Sequence, residues 1–215
     1  MHIEVLVEDS SGARLLEILL PKLIGEFDAP HRWRVHDHRG IGRLPPNLKS
    51  RPDPGTACLL DKLPALLRAY GKPNSGVDAV LVVLDSDQRP WREFQTELEV
   101  VAKACGATPT VLVRLAVEEV EAWYFGDRTA LLSAFPRAKR KILAAYDQDG
   151  VCGTWERLAD AIHPAGSVAL KKAGWPLPGQ LKHDWAAAIG PLMDVERNQS
   201  PSFCRLRDGL RQLVA

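Results

Sequence analysis

The run from Val77 to Leu84, VDAVLVVL, constrains this chain more than any other feature. It is short, continuous and β-branched, the pattern of a strand buried on both faces. Such a strand needs cover on two sides, so its neighbours must supply helices. They do. Ser10 to Ile24 places Leu15, Ile18, Leu19, Leu23 and Ile24 on one helical face, with Ser10 or Ser11 as a candidate N-cap. Thr56 to Tyr70 carries a stripe of Leu59, Leu60, Leu63, Leu66 and Leu67, and Trp91 to Cys105 is a charged amphipathic helix. Three more strand-like segments intervene: His2 to Val7, Arg32 to His38 and Pro109 to Leu115.

The order is β-α-β-α-β-α-β, with crossovers too long for hairpins. This predicts an α/β fold, a four-stranded parallel sheet flanked by helices. From Glu118 onward only helical patterns follow: Glu118 to Phe125, Thr129 to Ala145, Thr154 to Ile162, His183 to Met193 and Cys204 to Val214. Pro164 to Gly179, which includes GWPLPG, reads as a loop. The expected division is an α/β domain over residues 1–127 and a helical C-terminal region over 128–215, packed on it as one structural unit.

Charge narrows the function classes. Twenty-eight Lys plus Arg face 27 Asp plus Glu, a net charge of +1, so any nucleic-acid contact must come from a local patch. No apolar run approaches the roughly 20 residues that span a bilayer, and MHIEVLVED lacks the basic end of a signal peptide. A cytoplasmic protein without membrane association is expected. Cys58, Cys105, Cys152 and Cys204 are too far apart for a zinc knuckle or a redox pair, and are expected to be reduced.

Ligands of open parallel sheets bind beyond the carboxyl ends of the strands. Here the first strand is followed by Glu8 and Asp9, the third by Asp85-Ser86-Asp87, and the fourth by Glu118, Glu119 and Glu121. Carboxylates gathered at one edge repel each other and must take up protons or recruit a cation. Their hard oxygens suit Mg²⁺ or Mn²⁺, and Mg²⁺ commonly uses only one or two carboxylates beside water and phosphate. Caps and turns are the plain alternative for Asp85 and Asp87, and a helix N-cap role for Asp9. In the helix after the fourth strand, Glu121 falls within the apolar arc of Val117, Val120 and Tyr124 and needs a partner, either a metal or a structural arginine. Glu118 lies at the edge of that arc, and Glu119 points away toward solvent.

Glu after a first strand and DSD after a third resemble the Toprim fold, the metal-binding domain of topoisomerases, primases, recombination proteins and overcoming-lysogenization-defect nucleases. Within that group, AVEEVEAWYFGD (Ala116 to Asp127) and NQSPSF (Asn198 to Phe203) are similar to a bacterial Toprim-like family, domain of unknown function 4276. The resemblance runs from about residue 2 to the C-terminus. It implies that Glu8 is a metal neighbour or general acid/base, that Asp85 and Asp87 hold Mg²⁺, and that Glu121 with Asp127 are further acids in the same cleft, Glu121 as a metal ligand and Glu118 and Asp127 as residues that support the ligands. Asp9 stands where such proteins commonly have glycine.

The stretch from His31 to Arg51 holds six Lys or Arg against Asp37, a local charge of +5, much of it in a loop on the acidic edge. Arg39, Arg43, Lys49 and Arg51 are the candidate nucleic-acid contacts, the alternative being a solvated loop that balances the cleft. Arg137, Lys139, Arg140 and Lys141 read as a solvated helix face. His36 and His38 are secondary metal candidates, and Trp175 either packs a lid or stacks on a base. Ser10, Ser200 and Ser202 have no His/Asp partner pattern for serine hydrolysis. The expected function is a Mg²⁺- or Mn²⁺-dependent phosphodiesterase or nuclease. A non-catalytic module partnering an ATPase is the alternative, and a phosphorylated receiver domain is disfavoured by the 77-residue gap between Glu8 and Asp85.

Overall fold

The computed structural model describes residues 1–150 and 152–215. Four strands, β1 (His2–Val7), β2 (Arg32–Asp37), β3 (Ala79–Asp85) and β4 (Thr110–Ala116), form one all-parallel sheet in the order β2-β1-β3-β4. Helices flank both faces and a helical C-terminal region follows, as the segment pattern predicts. Alternation along β3 explains why that strand is apolar at every position before its closing aspartate. Ala79, Leu81 and Val83 join one core with α1 (Ser10–Ile24) and the later helices, while Val80, Val82 and Leu84 join another with α2 (Leu59–Tyr70) and α3 (Trp91–Ala104). Each fully buried leucine or valine in these cores stabilises the fold by about 1.5–3 kcal/mol.

The second half differs from expectation in three places. The helix expected over Glu118 to Phe125 begins only at Glu121, as α4 (Glu121–Gly126), because Glu118 adopts φ 62°. The helix expected over Thr129 to Ala145 is two pieces, α5 (Arg128–Ala134) and α6 (Arg140–Ala144). Phe135 precedes Pro136 and is driven out of the helical region, to φ −128° and ψ 78°. The segment Pro164 to Gly179 is not a loop. After α7 (Thr154–Ile162) it holds α8 (Gly166–Ala173) and the start of α9 (Leu177–Ile189). Gly174 ends α8 at φ 71°, and Pro178 sits in the first turn of α9, where its missing N–H costs nothing.

Two contacts fix α9 over the sheet edge. Gly190, just past its end, lies so close to Leu15 and Ile18 of α1 that an added Cβ would stand 3.2 Å from Leu15 Cδ1. Lys22 donates from Nζ to the carbonyls of Gly190, Pro191 and Met193, at 3.1, 2.6 and 2.9 Å, neutralising the negative end of that helical run. The last helix, α10 (Pro201–Val214), is capped by Ser200 and packs against β4. Trp123 and Phe125 of α4 and Phe203 and Leu206 of α10 share one hydrophobic cluster with Ile3 and Val5 of β1.

Candidate functional site

The carboxyl ends of β1 and β3 and the turn after β4 open onto one cavity of about 600 Å³, lined by Glu8, Asp9, Asp85, Asp87 and Glu119 among others. Glu8 leaves β1 directly; its Oε2 accepts the Asp85 N–H at 3.4 Å. Asp85 ends β3 with Oδ1 accepting the Val120 N–H at 3.0 Å, which leaves its other oxygen for the cavity. Asp87 is exposed, in the left-handed region at φ 49°, and its N–H donates to Glu118 O at 3.0 Å.

Asp9 takes the N-cap role. Its Oδ1 accepts the Gly12 N–H at 2.7 Å, and its backbone is extended at φ −143°. An aspartate therefore stands at this position without backbone strain.

The turn after β4 is the device that aims the glutamates. Glu118 offsets the cost of its left-handed backbone, about 1–2 kcal/mol for such a residue, through contacts on every side. Ser86 Oγ accepts the Glu118 N–H at 2.8 Å. The Glu118 carboxylate accepts the N–H groups of Gly153 and Thr154 at the start of α7. It is thus a helix-capping group and does not line the cavity. The reversal at Glu118 also turns Glu119 toward the cavity, contrary to the solvent-facing position expected for it. Glu119 Oε2 accepts the Trp155 N–H at 2.8 Å, and its Oε1 lies 3.2 Å from Lys182 Nζ.

Glu121 is buried, 1% exposed, as its place in the apolar arc predicts. Its protein partner is Lys182 Nζ at 3.4 Å rather than an arginine, and Glu121 is not among the residues that line the cavity. Lys182, on α9, is the residue that sequence reasoning missed. The segment leading to it read as loop, and more than sixty residues separate it from the acids it meets.

Asp127 does not join the cleft. It caps α5 through Ala130 N–H at 3.1 Å and accepts Arg197 Nε and Nη2 at 3.0 and 2.9 Å. Burial alone would raise its pKa, but the hydrogen bonds from Arg197, Asp194 N–H and Ala130 N–H hold it below the usual carboxylate range.

Of the basic candidates, Arg39 lines the cavity, whereas Arg43, Lys49 and Arg51 stand farther along the loop and do not. His38 also lines it, bound through Nδ1 to Val7 O at 3.0 Å. His36 is directed elsewhere, to the carboxylate of Glu4.

The electrostatics reflect the packing of these acids together. Burial, then the charges of Asp87 and Asp9, push Glu8 up to about 7. Burial and Glu121 push Glu119 up to about 7 as well. Asp85 is raised well above its ordinary value by burial and by Glu8. Burial would lower Lys182, but Glu121, Glu119 and Asp85 outweigh it and keep the ammonium charged. The cavity therefore carries more carboxylates than its cations balance.

Among the described residues no three His, Cys, Asp or Glu side chains are grouped as a complete set of metal ligands. Glu8, Asp85 and Asp87 nevertheless fit a hard cation by their donor chemistry. All three bring oxygens to one cavity, they repel each other, and one or two carboxylates suffice for Mg²⁺.

The family model for a domain of unknown function, DUF4276, matches residues 7–211. The chain belongs to this family. No curated protein and no solved structure gave a match. The two DUF4276 segments singled out in the sequence, AVEEVEAWYFGD and NQSPSF, pack against each other. Asn198 Nδ2 donates to Trp123 O at 2.8 Å, Trp123 Nε1 donates to Ser202 Oγ at 3.0 Å, and Gln199 N–H reaches Gly126 O at 2.9 Å. Gly126 is glycine because a Cβ there would stand 2.0 Å from Asn198 Oδ1. These contacts join α4 to α10 and lie outside the cavity. Among the described residues no helix is long and apolar enough to cross a membrane, and all four cysteines are free.

Proposed function

We propose that this DUF4276 chain is a Mg²⁺- or Mn²⁺-dependent phosphodiesterase acting on nucleic acid, of the Toprim kind that its acidic motifs resemble. The observation that carries the reading is the delivery of Glu8, Asp85 and Asp87 from β1 and β3 into one cavity. Asp85 and Asp87 are the residues that would hold the metal. When bound, it would polarise a phosphate and orient water.

The chain's own groups supply the rest. Glu8, held at about 7, accepts a proton near neutral pH, the condition for an effective general base. Lys182 and Arg39 place positive charge on the same cavity, where phosphate oxygens gain from it. Arg43, Lys49 and Arg51, farther out on the loop, are placed to follow the backbone of a longer strand.

The test is incubation of purified protein with single-stranded DNA, duplex DNA and RNA in Mg²⁺ or Mn²⁺, beside Asp85→Ala and Glu8→Gln. Cleavage is expected, reduced at least about 100-fold in Glu8→Gln, the scale of a lost general base, and lost in Asp85→Ala. Wild-type protein that cleaves none of these polymers overturns the proposal. The chain would then be a non-catalytic module working with a partner such as an ATPase.

A further inference from the structure

Trp175 is 77% exposed at the N-terminal approach to α9, a costly place to leave a large ring in water. It is not free to wander. The ring rests on Gly179, where an added Cβ would stand 2.2 Å from Trp175 Cζ3. Gly179 and Lys182 are three residues apart on α9 and share a helix face. That face looks into the carboxylate cavity, whose wall includes Trp175, Gly179 and Lys182 together with Glu8, Asp85 and Asp87. Beyond Trp175 lies a second space of about 300 Å³, bounded by Trp155, Lys171 and Pro178. A ring closing a lid would be covered. This one is supported from behind by a glycine and remains open beside a lysine.

We infer that Trp175 is a stacking platform for an unpaired base, so that the cleft takes single-stranded nucleic acid with its phosphate beside Lys182 and Arg39. The inference rests on the phosphodiesterase reading and specifies the substrate class of the same site. Three physical points support it. An indole face held in place stacks on any base, independently of sequence. Bases inside a duplex are already stacked and paired, and offer no free face to a ring. A cavity of about 600 Å³ accommodates a nucleotide or two and not a stem. Lys182 and Arg39 supply the charge that a phosphate beside the stacked base requires.

The experiment is a fluorescence-anisotropy titration of the whole protein in Ca²⁺ at fixed salt. The labelled ligands are a short single-stranded oligonucleotide, its duplex, and the same strand with abasic positions. Wild type, Trp175→Ala and Trp175→Phe are compared, and thermal melts establish that each variant is folded.

Wild type is expected to prefer the single strand to the duplex. Trp175→Ala should weaken single-strand binding about tenfold, within the range for one lost base–aromatic stack. Trp175→Phe should retain most of the affinity, and the abasic strand should bind wild type and Trp175→Ala alike. Single-strand affinity unchanged in Trp175→Ala overturns the inference and leaves the ring to a protein partner. An equal loss on the abasic strand, or wild type that binds no single strand, overturns it too. Cleavage in Mg²⁺ alongside Trp175-independent binding removes this inference alone. Trp175-dependent binding without any cleavage removes the hydrolytic reading and keeps the platform.

Discussion

Lys182 sets the charge balance of the carboxylates around it. It is 14% exposed, and Glu121 beside it is 1% exposed, so neither charge can turn to water when the other is removed. Lys182→Met should therefore destabilise the fold by about 3 kcal/mol at pH 8, the usual scale for a broken buried pair. The loss, read from urea midpoints, should shrink at pH 5, where Glu119, pushed up to about 7, takes up a proton, and where burial likewise favours the neutral form of Glu121. An equal loss at both pH values would mean that the lysine acts by packing alone.

The raised acids give a pH dependence of their own. Glu8 and Glu119 titrate at about 7 in the folded chain and at 4.5 in the unfolded one, so the folded state holds the extra protons. Stability from this source is fully present below about pH 4.5 and is lost as pH rises through about 7. The metal-free melting temperature should fall by several degrees across that window, since about 1 kcal/mol is worth about 2–4 °C at this chain length. Added Mg²⁺ should recover more at pH 8 than at pH 5. Glu8, Asp85 and Asp87 were legible from their places after strands. Glu119 was not, because a helical wheel drawn through residues 118–125 assumes helix at Glu118, whereas the helix begins at Glu121 and the left-handed turn before it sets where Glu119 points.

At the scale of elements, the ends of helices decide where side chains go. Asp127 caps α5 while gripping Arg197, and its carboxylate is 0% exposed. Asp127→Asn should cost about 2 kcal/mol, the order of a few lost charge-assisted hydrogen bonds. The loss should appear in denaturant midpoints without any change in the metal dependence of cleavage. A shift in metal dependence would return Asp127 to the cleft.

The strands and first three helices were readable because each has its own apolar period. Ser10 to Ile24 matches α1 at both ends. Beyond residue 117, neighbours decide instead. Pro136 cuts a helix that the apolar pattern carries through, and the Pro/Gly signal at residues 164–179 hides α8 and the start of α9. Prolines and glycines placed at helix ends look the same, in sequence, as those that abolish helices.

At the scale of the molecule, the α/β half does not stand alone. Leu15, Leu16 and Leu19 of α1 are fully buried, and the cluster that covers them includes Trp185, Ile189, Phe203 and Leu206. A fragment of residues 1–127 would expose that face and leave Glu121 without Lys182. It should show no cooperative thermal transition and should bind a hydrophobic dye, whereas residues 1–215 melt cooperatively. A cooperative melt of the fragment would show that the sheet and its first helices suffice. The seat of α9 on α1, fixed by Gly190 and Lys22, also carries a consequence for synthesis on the ribosome. The acids emerge early and their ammonium partner late, so the carboxylate edge cannot take its final form until α9 has left the exit tunnel. The cleft is assembled late, and a product that stops before α9 lacks its ammonium.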